Sequence, residues 1–60
     1  MTLFEAYNYH IYLCQNITDE ITDKDTQITI CSALHGNQYK TTLTINGKQT
    51  HFTDKVEVND

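Results

Sequence analysis

The sequence contains no tryptophan, no proline and no arginine, and its basic residues are four scattered lysines. Eight acidic residues outnumber the lysines, so the formal net charge at pH 7 is −4. Proteins that bind nucleic acid regardless of its sequence contact the phosphates through clustered lysine and arginine side chains. The composition therefore excludes nucleic acid as a direct, sequence-independent partner.

The chain also lacks long apolar runs. No stretch approaches the ~18 apolar residues of a membrane span, and the residues after Met1 lack the basic start and apolar segment of a secretory signal. We therefore expect no membrane partner and a cytoplasmic location. Sixty residues suffice for one small domain, residues 1–60. Cys14 and Cys31 are expected to be free thiols in this reducing compartment.

Apolar and polar residues alternate along three segments, as they do in half-buried β-strands. Residues 7–17 carry most of their large apolar side chains at odd positions. Residues 27–35 and 39–45 have the same period of two. We therefore predict that all three segments are strands.

Two dipeptides, Gly36-Asn37 and Asn46-Gly47, are typical of two-residue hairpin turns. Such turns fix the register of the strands that they join. The predicted register contains these pairs: Ile28 with Ile45, Ile30 with Leu43, Ser32 with Thr41, Leu34 with Tyr39, Ile45 with Lys48, Leu43 with Thr50, and Thr41 with Phe52.

These strands predict an all-β fold, a four- to five-stranded antiparallel meander with one apolar face, in which Val56 and Val58 lengthen the last strand or form a fifth. Residues 2–8 have room for one or two helical turns and the loop 18–27 has room for one, so nothing in the chain is long enough to cover that face. We therefore expect two copies to pack face to face as a homodimer, with closure into a small barrel as the alternative. The residues expected on the packed face are Tyr9, Ile11, Leu13, Ile28, Ile30, Leu34, Tyr39, Leu43, Ile45 and Phe52.

Histidine and cysteine recur at a spacing of four, as His10 with Cys14 and Cys31 with His35. These residue types are those of a Cys2His2 zinc site. However, residues i and i+4 lie ~13 Å apart on a strand, too far to share one ion. We therefore expect neither a metal nor another cofactor. Because the predicted register sets Cys14 opposite Cys31, a cross-strand disulfide is the alternative to two free thiols.

Acidic residues are concentrated between the first two predicted strands, and the candidate partner-binding residues there are Asp19, Glu20, Asp23 and Asp25. The favoured interpretation of this segment is a solvated connection, and the alternative is a carboxylate patch directed at a basic protein partner. A calcium loop would need a central glycine and a distal glutamate, which are missing. Tyr12, on the polar face of the predicted sheet, is the other candidate, because exposed tyrosines often anchor interfaces.

Size, acidity and β-rich composition together favour binding over catalysis. A flat sheet offers no concave pocket that excludes water, so we predict no catalytic residues and no enzymatic activity. In these three properties, though in no motif, the chain resembles the small acidic proteins that phages encode to inhibit host enzymes or anti-phage defence systems. The resemblance implies an inhibitor in the host-cell cytoplasm that occludes the surface of a host protein. The alternative is a structural or complex subunit whose apolar face is covered by another chain.

Overall fold

The computed structural model describes residues 1–57, which form one helix followed by a three-stranded antiparallel sheet. Helix α1 spans Leu3–Thr18, and the strands are β1 (Ile28–His35), β2 (Gln38–Ile45) and β3 (Lys48–Lys55), with β2 in the middle. The fold is therefore α+β. The prediction of an all-β meander with four or five strands is wrong, because its first strand, residues 7–17, is helical. Val58 lies outside the described residues.

Both hairpins have the predicted register, and every pair predicted between β1 and β2 and between β2 and β3 is present. The predicted pairing of Cys14 with Cys31 is wrong, because Cys14 lies on the helix. The turns explain this agreement. Gly36, Asn46 and Gly47 have φ angles of 64°, 50° and 84°, in the left-handed region that tight hairpin turns require. Local turn chemistry thus decides which side chains lie together on each side of the sheet.

Helix α1 begins at a capping box formed by Thr2 and Glu5. The Thr2 hydroxyl accepts the backbone N–H of Glu5 at 3.1 Å, and the Glu5 carboxylate accepts the backbone N–H of Thr2 at 2.9 Å. These bonds satisfy donors that have no partner within the first helical turn. The helix continues without glycine or proline to Thr18, and Asp19 is its C-cap.

Helix α1 packs on the sheet through one stripe of buried residues, Ala6, His10 and Cys14. A spacing of four places them on one face of the helix. They lie over the side of the sheet to which β2 contributes its buried residues. Because the chain's own helix covers this side, the predicted packing of two bare sheets against each other is wrong. The buried residues of β2 are Tyr39, Thr41 and Leu43.

The ten residues predicted for the packed face have different environments. Tyr39 and Leu43 are buried, and a second group is half-buried: Ile11, Leu13, Ile45 and Phe52. The remaining four are between 42% and 53% exposed: Tyr9, Ile28, Ile30 and Leu34. For the three on β1 the reason is that His10 joins α1 to β2 and β3, so the helix lies over those strands and leaves β1 largely uncovered. Tyr9 belongs to α1 and lies outside its buried stripe.

Candidate protein-binding surface

Three large apolar side chains are exposed on the first two turns of α1. They are Leu3, Phe4 and Tyr7, with exposed fractions of 43%, 73% and 49%, and we refer to them as the α1 patch. Together with Tyr39 of β2 they line an open apolar depression. Apolar side chains grouped on the surface of a small protein are typical of a binding surface.

Contacts between the start of α1 and the segment after β3 hold the α1 patch in position. Ala6, Tyr39 and Val56 form a buried cluster beneath it. The backbone N–H of Glu57 donates to the carbonyl of Met1 at 2.8 Å, and the Glu57 carboxylate lies 3.6 Å from the Met1 amino group. The patch is therefore preorganised, which lowers the entropy cost of binding.

Strand β1 is exposed along its whole length. On the side of the sheet that carries α1 it presents Ile28, Ile30 and Leu34, which we name the β1 strip; these are 42%, 53% and 45% exposed. The strand contains no aspartate, glutamate, lysine or arginine. Within residues 1–57 its only neighbouring strand is β2, so its outer edge is open and is a second candidate interface.

His10 lies at the centre of a hydrogen-bond chain that joins α1 to all three strands. Its Nδ1 is 2.7 Å from the Thr41 hydroxyl, its Nε2 is 2.7 Å from the Asp54 carboxylate, and the Thr41 and Ser32 hydroxyls are 2.8 Å apart. Since an ionised carboxylate can only accept, Nε2 carries a proton. When the His10 ring is neutral, its Nδ1 accepts a hydrogen bond from the Thr41 hydroxyl, and that hydroxyl accepts one from Ser32. Each of these four side chains then has a hydrogen-bond partner.

A hydroxyl, an imidazole and a carboxylate in series are also the components of a nucleophilic catalytic site. Here His10 and Thr41 are each only 1% exposed, so neither is accessible to a substrate. No buried side-chain nitrogen or oxygen in the described part of the chain lacks a hydrogen-bond partner. The arrangement therefore positions α1 on the sheet and presents no accessible nucleophile.

The histidine and cysteine residues with zinc-type spacing do not converge. His10 and Cys14 lie on the buried stripe of α1, whereas Cys31 and His35 are exposed on β1. Residues 1–57 contain no group of three or more side chains arranged to hold a metal. Both cysteines are free. Burial raises the pKa of the Cys14 thiol. Cys31 is exposed and is therefore the more accessible of the two.

The acidic residues predicted to bind a partner lie at the opposite end of α1 from the α1 patch. They are Asp19, Glu20, Asp23 and Asp25, all exposed, and none of them takes part in the Met1–Glu57 ion pair or the His10–Asp54 contact. Asp19 is roughly 22 Å from Phe4 along the helix axis, at 1.5 Å per residue. Tyr12 is 58% exposed and projects away from the buried stripe. The predicted binding residues are therefore not part of the α1 patch. The sequence pattern did not predict the α1 patch.

No helix within residues 1–57 has the length and apolar character of a membrane span. No protein-family model, curated protein or solved structure matches the chain. The surface features of the structure that bear on function are the α1 patch, the β1 strip and the acidic loop, residues 19–25.

Proposed function

We propose that this chain is a non-enzymatic binding protein that attaches to another protein through the α1 patch and blocks the surface that it covers. The observation that carries this proposal is the exposure of Leu3, Phe4 and Tyr7 beside an apolar depression. Large apolar anchors, aromatic ones in particular, supply most of the binding energy of protein interfaces.

The helix does not depend on Phe4 for its own packing. The buried stripe of Ala6, His10 and Cys14 makes the contact with the sheet, and Phe4 is 73% exposed. Leaving a phenylalanine in water forgoes ~1.5–3 kcal/mol of hydrophobic stabilisation. An apolar residue that contributes so little to folding is well suited to contribute to binding instead.

The charge of the molecule favours a basic target. The net charge is −4, and the acidic loop places four exposed carboxylates next to the C-terminus of α1. The negative end of the helix dipole adds to the potential there. Such a field accelerates association with a basic protein and favours it over acidic competitors. An inhibitor of a host enzyme or of an anti-phage defence protein, acting in the host cytoplasm, is the specific form that we propose.

The proposal is tested by capture of the target on immobilised chain, comparing the wild type with Phe4→Glu and Tyr12→Glu. Both substitutions place a carboxylate at an exposed aromatic position of α1, and Tyr12→Glu is the matched control away from the patch. At position 4 the new carboxylate lies near the positive end of the helix dipole, so Phe4→Glu is expected to fold, as circular dichroism would verify.

We expect a host protein to be retained in stoichiometric amount by the wild type and by Tyr12→Glu. Retention should fall at least tenfold with Phe4→Glu, the effect of losing one interface anchor. If both variants retain the protein equally, the α1 patch is not the interface. If no protein is retained in stoichiometric amount, the proposal fails. If the chain co-purifies only as a fixed component of a larger assembly, it is a complex subunit, the alternative function.

A further inference from the structure

The outer edge of β1 offers a row of backbone groups for pairing. His35 and Gln38 close the two-residue hairpin, and such a closing pair exchanges both of its hydrogen bonds. Alternate residues of β1 therefore bond to β2, and the residues between them direct their N–H and C=O groups outward. The outward set is Ile28, Ile30, Ser32 and Leu34, which includes the whole β1 strip.

Edge strands of monomeric proteins are commonly protected by charged side chains or proline. The other edge of this sheet, β3, has lysine at both ends, Lys48 and Lys55, with Asp54 between them. Strand β1 has no such residue and reads Ile-Thr-Ile-Cys-Ser-Ala-Leu-His. The two edges of the sheet thus differ in charge: β3 carries charged side chains and β1 carries none. Of the two edges, only β1 is suited to pairing with another strand.

We infer that a second copy of this chain binds at the β1 edge, so that two β1 strands pair antiparallel about a two-fold axis and the two sheets form one sheet of six strands. This inference goes beyond the proposed function, since it concerns a different surface and a different partner. It also differs from the packing of two bare sheets, because the joint is made edge to edge and each helix stays on its own sheet.

The register of this joint follows from geometry. A two-fold axis normal to the sheet sets residues opposite one another when their side chains lie on the same side of the sheet. Ile30 can therefore face Ser32 of the partner subunit but not Cys31 of the partner subunit. Only the register with Cys31 on the axis pairs all four outward residues of each copy. Shifting it by two residues in either direction leaves one outward residue of each copy without a counterpart. In the full register, Ile28 faces Leu34 of the partner subunit.

The uncharged β1 edge is compatible with a second copy as the occupant. Two chains of net charge −4 repel one another, yet the joint itself carries no formal charge. Antiparallel pairing also places the two acidic loops at opposite ends of the joint, more than 20 Å apart at ~3.3 Å per residue. That separation exceeds the Debye length of ~8 Å at physiological salt, so the repulsion is largely screened.

The area available is sufficient for a specific dimer. Half-exposed side chains of the size found in the β1 strip offer on the order of 300 Å² per copy, and the backbone and outer-side residues of the paired strand add about as much. The total, on the order of 1,200 Å² for two copies, is at the lower limit of stable interfaces. The dimer should therefore dissociate on dilution.

The first measurement is absolute mass by light scattering over a hundredfold range of concentration. We expect the wild type to pass from twice the chain mass to the chain mass on dilution. Ile30→Lys should raise the dissociation constant at least tenfold, because it places a charge at the centre of the joint. Gln49→Lys is the matched control, since it adds the same charge at an exposed position of β3, the opposite edge of the sheet. Circular dichroism verifies that both variants are folded.

The second measurement uses disulfide formation to read the register. Diamide oxidises two thiols to a disulfide and itself takes up the two electrons and two protons. Cys31 lies on the proposed axis, where facing Cα atoms are ~4.5 Å apart, within reach of a disulfide. Cys14 is buried and serves as an internal negative control. We expect a covalent dimer with the wild type and none with Cys31→Ser.

A shifted register is tested in the Cys31→Ser background. Thr29→Cys combined with Ala33→Cys should form the covalent dimer at least tenfold faster than either substitution alone, because Thr29 faces Ala33 of the partner subunit. Equal rates for the double and single variants would overturn the register. A dimer that persists in Ile30→Lys would overturn the joint itself. A chain that is monomeric at every concentration would overturn this inference but leave the proposed function intact, because that function is read by target capture with Phe4→Glu.

Discussion

His10 is a polar residue that has become part of the core. Its ring centroid lies 5.0 Å from that of Tyr39 and 6.0 Å from that of Phe52, and both of its nitrogens have hydrogen-bond partners on the sheet. An unpartnered buried polar group costs about 1–3 kcal/mol. The fully satisfied ring therefore permits one placement of α1 above the sheet and penalises others.

Replacing His10 by alanine should destabilise the protein by about 2–4 kcal/mol, because it removes two hydrogen bonds and leaves a cavity. Urea unfolding followed by circular dichroism measures this change. The control is His51→Ala: the His51 side chain is exposed and bonds to Thr42 at 3.0 Å, so we expect an effect within ~0.5 kcal/mol. Equal losses for the two variants would contradict a core role for His10.

The two hairpins were predictable from the sequence, whereas α1 was not recognised. Asn46-Gly47 and Gly36-Asn37 determine turn geometry from two residues each, so the pairing of three strands follows from local chemistry. Between residues 7 and 17 the apolar side chains match a period of two, but Ala6, His10 and Cys14 lie four apart, which fits a helix equally well. The deciding signals were the spacing of Thr2 and Glu5 and the absence of glycine and proline across residues 3–18.

The missed helix also explains which functional residues were missed. Leu3 and Phe4 lie before the predicted first strand, so the strand pattern assigns them to no face of the sheet. That pattern also leaves the sheet without a cover, and so it predicts a second copy as the packing partner. A pattern of apolar residues does not reveal a buried stripe whose central residue is histidine. His10 can be buried because Thr41 and Asp54 bond to its two ring nitrogens.

The capping box gives α1 a pH-dependent start. Hydrogen bonds from the backbone and then the side chain of Thr2 lower the pKa of Glu5 from its ordinary value of 4.5. A carboxyl group whose folded-state pKa is lowered contributes stability above its unfolded pKa and loses that contribution as the pH falls through the folded-state value. Wild type should therefore exceed Glu5→Gln in urea midpoint at neutral pH, and the two should converge in acid.

Thr2→Ala is the companion variant for this measurement, since it removes the hydroxyl that caps the helix and should cost ~1 kcal/mol at neutral pH. It also removes the side-chain hydrogen bond to Glu5, so less of the pH dependence should remain. A difference between wild type and Glu5→Gln that stays constant from neutral pH into acid would contradict the role assigned to the Glu5 carboxylate.

The molecule consists of one helix on one side of a three-stranded sheet, and neither layer has a core without the other. The cluster of Ala6, Tyr39 and Val56 takes its members from α1, β2 and the segment after β3. The hydrogen-bond chain through His10 likewise joins all of the elements. Folding of the two layers should therefore be a single cooperative event.

This cooperativity predicts that neither residues 1–18 nor residues 19–60 fold alone. An isolated helix of this length is marginal in water, and the sheet without α1 would expose Tyr39, Thr41 and Leu43, which are buried in the intact chain. Circular dichroism of each fragment should show little regular structure, and an equimolar mixture should recover helical signal.

The same mixture with His10→Ala in the first fragment should recover much less, because the residue that fixes α1 on the sheet is gone. A fragment 19–60 with a full β signal and cooperative unfolding would contradict this account, since the sheet would then be stable with one apolar side bare and the cover provided by α1 would not be what holds the fold together.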